Sequence, residues 1–201
     1  ALVTGQFGIR SGIVGHGGTA GDLRIEGEGR GFRSSLSQDA LWALFRRQGF
    51  RTTSVSPFAE RHSAWWFNAG FGEMVNTGRG GMESAEEITP AVLDWLGRNA
   101  SEDQWLLHVN YWDPHTPYRA PEGFGNPFAE QSLPEWFDET ILREHRTKPG
   151  GHGACEVNMW DDGVAPQYPR HLGQVRDMAD FRRMIDGYDC GIRYMDEHIG
   201  R

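Results

Sequence analysis

The chain has 201 residues with a formal net charge of −8, 38% hydrophobic and 24% charged, which fits one globular domain with a sizeable core and not a disordered tail. The acidic balance excludes a nonspecific nucleic-acid binder, which would be basic, yet a local field still permits an anion site at short range. Cys155 and Cys190 make no disulfide framework, leaving one bridge or two free thiols open, and no apolar run approaches the roughly 18 residues of a membrane span.

The chain opens on Ala1-Leu2-Val3-Thr4-Gly5, without an initiator Met, a signal peptide or a start signal for any element, and closes on Arg201 directly after a helix-like segment. Both ends are expected to be cuts in a longer sequence, so compartment stays open. Residues 12–31 hold eight glycines, which marks a long loop: either a surface excursion or backbone that passes close to a ligand. Ser35-x-x-Gln38 resembles a capping box before a helix with Leu41, Leu44 and Phe45 on one face, Arg46 and Arg47 in its last turn, and Gly49 as the stop. Phe50–Ser56 then reads as a strand, with β-branched Thr52, Thr53 and Val55.

The pattern repeats. Ser84-x-x-Glu87 opens a second helix with Ile88, Val92, Trp95 and Leu96 at helical spacing. Pro90 leaves two readings, a kink at that point or a helix capped by Thr89 with Pro90 first. Residues 105–111 follow as a strand buried on both faces, as in a parallel sheet. Prolines and glycines make 120–175 irregular, with one short helix near 134–145. From Arg176 onward, Met178, Phe181, Ile185, Tyr188, Ile192, Met195 and Ile199 step by three or four, the apolar stripe of an amphipathic helix. Helix and strand in alternation predict a layered α/β domain with a mostly parallel sheet.

The chemistry concentrates where the second strand stops, in Trp112-Asp113-Pro114-His115-Thr116-Pro117-Tyr118. A histidine between two prolines sits on a stiffened loop, and ligands of open parallel sheets bind at the carboxyl ends of the strands. From the residues alone, His115 either serves a site or bonds a backbone carbonyl in a turn. Asp113 either orients it or merely opens an Asp-Pro turn.

Asp-Pro-His-x-Pro-Tyr after a strand resembles the His-x-Pro-Tyr loop of the sulfatase family, within the alkaline-phosphatase-like superfamily. Leu2-Val3-Thr4-Gly5 is similar to the tail of the family signature Cys-x-Pro-Ser-Arg-x-x-Leu-x-Thr-Gly. Gly49-Phe50-Arg51-Thr52-Thr53-Ser54-Val55 resembles the opening of the second signature, Gly-Tyr-x-Thr-x-x-Val-Gly-Lys-x-x-His. Tyr194–Gly200 is similar to the family helix before the last metal-binding strand. The resemblance runs from residue 1 to 201, with 126–175 matched poorly.

It implies an α/β/α sandwich, incomplete at both ends, that forms part of a single catalytic domain. It also implies hydrolysis of a sulfuric ester, on a small molecule or a glycan, by a formylglycine nucleophile with a divalent cation, usually calcium. By the same match the nucleophile falls before Ala1 and the metal ligands fall outside the chain, so no metal-binding residue is expected here and residues 1–201 alone should show no turnover. His115 is implied as the histidine at the ester's leaving oxygen, in the protonated form that a neighbouring anion favours. The second signature departs: Ser56-Pro57 stands where Gly-Lys is expected. His62 is the candidate for its histidine, and Arg61 for the missing positive charge, binding sulfate in a bidentate manner; otherwise both are ordinary loop residues. Asp113 is a further candidate substrate contact, as are His16 in Gly15-His16-Gly17-Gly18 and, less so, Arg10 in the segment after Thr4-Gly5.

His108 reads as a core residue. Trp65-Trp66-Phe67 either stacks on a sugar or packs internally, and the spacing of His145, His152 and His171 matches no metal-ligand pattern. Two alternatives stand beside the sulfatase reading: a phosphonate or phosphodiester hydrolase of the same superfamily, and a sulfatase-like binding protein that has lost catalysis. A third is an unrelated α/β domain with a structural turn at 112–118.

Overall fold

The computed structural model of the chain describes residues 3–7, 39–62, 65–68, 70–147, 153–155, 157 and 168–201. The Ser35–Gln38 capping box lies outside them. Helix α1 (Leu41–Arg47) instead follows Ala40, which makes no side-chain cap bond, and Gly49 ends it in the left-handed region at φ +87°. Its buried residues are Trp42 and Ala43, not the expected Leu41, Leu44 and Phe45 face, and Leu44 is 44% exposed. The reason is the indole. Trp42 stacks on Phe71 at 4.8 Å and meets Phe67 edge-on at 5.8 Å, so the helix turns its largest apolar surface inward.

Strand β1 (Arg51–Val55) falls inside the expected span. Helix α2 (Phe58–Arg61) and strand β2 (Glu73–Val75) were not foreseen, being too short for a period to register. Helix α3 (Ala85–Asn99) resolves the Pro90 question: it starts after Ser84 and runs through the proline. The capping box fixes that start, with the Glu87 carboxylate accepting from the Ser84 N–H at 2.9 Å. Thr89 is no cap; it is buried, its hydroxyl 3.2 Å from that of Tyr111.

Strand β3 (Trp105–Val109) completes a sheet in the order β2-β1-β3, with β1 parallel to both neighbours. Successive strand residues face opposite sides. Leu106 accordingly joins the cluster of Trp42, Phe67 and Phe71, whereas Leu107 and Val109 join Val55 with Ile88 and Val92 of α3. Helices thus cover both faces, the α/β/α layering that the resemblance implied.

These elements belong to the first of two compact units, Ala1–Tyr111. In the second, Trp112–Arg201, the helix expected near 134–145 is α4 (Glu139–Thr147). It starts later because the Asp138 carboxylate accepts from the N–H groups of Thr140 and Ile141, at 2.8 and 2.9 Å, and so acts as its cap. Helix α5 (Met178–Ile199) spans the predicted stretch, capped by Asp177, whose carboxylate accepts from the Asp180 N–H.

The buried face of α5 differs from the predicted stripe in its second half. Phe181, Met178 and Ile185 do pack in a core with Leu142 and Val175. Beyond them Gly187, Cys190, Gly191, Tyr194 and His198 are buried, while Tyr188, Ile192 and Ile199 are exposed. Gly187 and Gly191 take part in that face because backbone lies against them. Both cysteines are free, Cys190 buried and Cys155 exposed. No helix of the described residues is long and apolar enough to cross a membrane.

Candidate functional site

Parallel strands send their chains out at one edge of the sheet. At the carboxyl end of β1 the Ser56 N–H continues the ladder to Val75 O at 3.1 Å, and beyond β3 the Asn110 N–H bonds Val55 O at 3.1 Å. Ser56-Pro57, standing where the family pattern has Gly-Lys, forms the entry to α2: the Ser56 hydroxyl accepts from the Phe58 N–H at 3.1 Å. A hydroxyl followed by proline is a good helix opening, which accounts locally for residues that break the motif.

Arg61 and His62 are brought together at the end of α2, both half-buried. Arg61 Nη1 donates to Gly81 O at 3.1 Å. Gly81 has φ +84°, and a Cβ there would overlap the Arg61 side chain, so the loop after β2 is shaped to receive the arginine. That loop is held by Glu83, which is fully buried and whose Oε1 accepts from the Thr77 hydroxyl and the Arg79 N–H, each at 2.8 Å. The His62 ring lies 4.9 Å from that of Phe58. His108 was expected in the core; it is half-buried, its ring among those of Trp42, Phe67 and Phe71, and desolvation lowers its pKa to about 4. Phe67 follows the packing reading of its aromatic run.

In the second unit, Asp113 and His115 share one tight turn. The His115 N–H bonds Trp112 O at 2.8 Å, and Thr116–Pro117 is a cis peptide. Asp113 is fully buried, whereas His115 is exposed. His115 Nδ1 lies 2.7 Å from Thr116 O. A carbonyl only accepts, so Nδ1 carries a proton, and Nε2 is the nitrogen that exchanges one. The Trp112 and His115 rings meet edge-on at 5.2 Å.

The turn rests on residues that the sequence reading passed over. Arg119, buried, donates to Trp112 O at 2.7 Å and to His115 O at 2.9 Å. Arg170 does the same for the next stretch, reaching Ala120 O, Pro121 O and Gly125 O at 3.0, 3.0 and 2.6 Å. Gly191 admits the loop: a Cβ there would lie 2.8 Å from Asp113 O. Gly187, four residues earlier, similarly admits Tyr118 and Arg170. His171, assigned no role from its spacing, is 1% exposed with no hydrogen-bond partner for either ring nitrogen among the described residues, and its ring meets Tyr118 at 5.1 Å. Burial and then the Arg119 charge lower its pKa. Burial, then Tyr188, raises that of Tyr118. A basic residue beside the motif and two glycines four apart in a helix were the signals available.

His145 lies in the last turn of α4. His16, Arg10 and His152, and the glycine-rich run 12–31, lie outside the described residues, as do the side chains of Trp65 and Trp66. Among the described residues no group of three or more His, Cys, Asp or Glu side chains is placed to hold a metal ion.

The chain was compared with protein families, curated proteins and solved structures. The family model described as Sulfatase matches residues 1–201, the whole chain. No curated protein and no solved structure matched.

Proposed function

The chain belongs to the sulfatase family, a family of hydrolases, and from that premise we propose that it is part of the catalytic domain of a sulfuric-ester hydrolase. The observation that carries the reading is the His115 turn: an exposed imidazole on a backbone held by buried donors, with Nδ1 already committed to Thr116 O.

In this reading Nε2–H of the protonated ring faces the bridging oxygen of the ester. As the S–O bond breaks, the proton passes from Nε2 to that oxygen and the alcohol leaves neutral. By the resemblance alone, Arg61 is assigned to the sulfate group and His62 to the catalytic histidine of the second motif; a guanidinium already fixed by one carbonyl loses little freedom on gaining an anion. Asp113, the other substrate contact that the resemblance suggested, would serve the turn instead, through its buried carboxylate and a carbonyl that accepts the Arg119 N–H at 3.3 Å. His16 is assigned a substrate contact from the glycine-rich loop. The substrate is a sulfated small molecule or glycan. By the resemblance, the formylglycine and the divalent cation, calcium by family habit, are assigned to sequence outside residues 1–201.

The experiment is turnover of 4-nitrophenyl sulfate against bis(4-nitrophenyl) phosphate by the full-length protein, with residues 1–201 alone as control. Preference for the sulfate is expected, and an inactive control. Preference for the phosphodiester moves the protein to phosphonate or phosphodiester hydrolysis. The helix-opening Ser56-Pro57 in place of Gly-Lys favours one further reading, a sulfatase-like binding protein. Sulfate-ester binding without turnover of either substrate would establish it.

A further inference from the structure

We propose that Arg119 is a positioning residue for His115, aiming its imidazole by holding the backbone on which it stands. The inference rests on the donor role given above to His115.

One guanidinium nitrogen, Nη1, donates to Trp112 O at 2.7 Å and to His115 O at 2.9 Å, while the Arg119 N–H reaches Asp113 O at 3.3 Å. These carbonyls bracket the turn that the His115 N–H to Trp112 O bond closes. Arg119 therefore ties both ends of that turn to one rigid, planar group, and the direction of the His115 Cα–Cβ bond follows from it. The arginine is 6% exposed. A buried cation resists any displacement that strips its acceptors, because an unpaired donor there is far costlier than one in water. A lysine ammonium carries its donors on a freely rotating group at the end of a flexible stem, so it would not fix the directions of two such bonds as the planar guanidinium does.

Arg119 touches no reacting atom, so its effect has to run through His115. A double-mutant cycle in the full-length protein tests this with Arg119→Lys, His115→Gln and both together, on phenyl sulfate and on 4-nitrophenyl sulfate, whose leaving group needs no proton. Arg119→Lys alone is expected to lower kcat on phenyl sulfate at least about tenfold, with little change in KM. The loss should be smaller on 4-nitrophenyl sulfate and should vanish in the His115→Gln background. An equal loss in both backgrounds, or none at all, overturns the proposal. If His115→Gln alone costs nothing, the donor role fails first, a result distinct from a crippled His115→Gln with additive Arg119→Lys.

A second readout does not need turnover. In the wild type the His115 Cε1–H signal is expected to be displaced by the Trp112 ring 5.2 Å away. Arg119→Lys, or Arg119→Gln if the lysine variant does not fold, should return it towards the free-histidine position. An unmoved signal overturns the proposal.

Discussion

The Nδ1 of His115 donates to the carbonyl oxygen of Thr116 at 2.7 Å. Such a bond selects the tautomer and fixes the ring plane, so Nε2 becomes the working nitrogen. The turn reading of this histidine holds at Nδ1, and the donor role proposed for it falls to Nε2.

His115→Gln keeps a donor near the Nε2 position but cannot release a proton. In the full-length protein kcat on phenyl sulfate should fall by about 10²–10⁴, the usual worth of general acid catalysis. The fall should be much smaller on 4-nitrophenyl sulfate. Equal losses on the two esters would show that His115 binds substrate without protonating the leaving group.

Gly191→Ala puts a methyl 2.8 Å from Asp113 O and 3.2 Å from Pro114 Cα. Overpacking of this kind costs about 1–3 kcal/mol, and the shift it forces falls on the His115 turn. Urea denaturation should show the loss of stability, and kcat should fall with it. Gly97→Ala is the control. Gly97 is exposed within α3 with nothing within 4 Å of the added carbon, so this change should stabilise by up to about 1 kcal/mol. A Gly191→Ala protein as stable as the wild type would mean that the loop does not lie on α5 as described.

His108 is held neutral by burial, with its pKa lowered from 6.5 to about 4. In that window the unfolded chain binds a proton that the fold excludes. The contribution is therefore fully present above pH 6.5 and is lost as pH falls towards 4, by at most about 3 kcal/mol at about 1.4 kcal/mol per unit. His171, also lowered, acts in the same direction. Urea midpoints measured against pH should decline across this range, and His108→Phe should flatten the decline. An unchanged slope in that variant would exclude His108 as its source.

The sheet strands β1 and β3 and the helices α3 and α5 were legible because each is long enough, or capped clearly enough, for its signal to repeat. Ser84 and Glu87 marked the start of α3 to the residue, and the capping bond overrode the doubt that Pro90 raised. Short elements carried no period, so β2 and α2 appeared only in the structure. The face of α5 was misread from Tyr188 onward because periodicity weighs apolar side chains, while here two glycines set the contact. The His115 loop was legible as a motif. Its support was not: Arg119 and Arg170 bond main-chain carbonyls, partners that every residue type offers and that no sequence pattern marks.

Gly187 and Gly191 also constrain how this chain can change length. A residue gained or lost between them would rotate one relative to the other by about 100° around α5, and only one would still face backbone. Arg170 O and Tyr118 meet the first, Asp113 and Pro114 the second, so both contacts depend on an interval of four. Natural variation should therefore leave the spacing from Gly187 to Gly191 untouched. The loop and the phase of α5 can change only together.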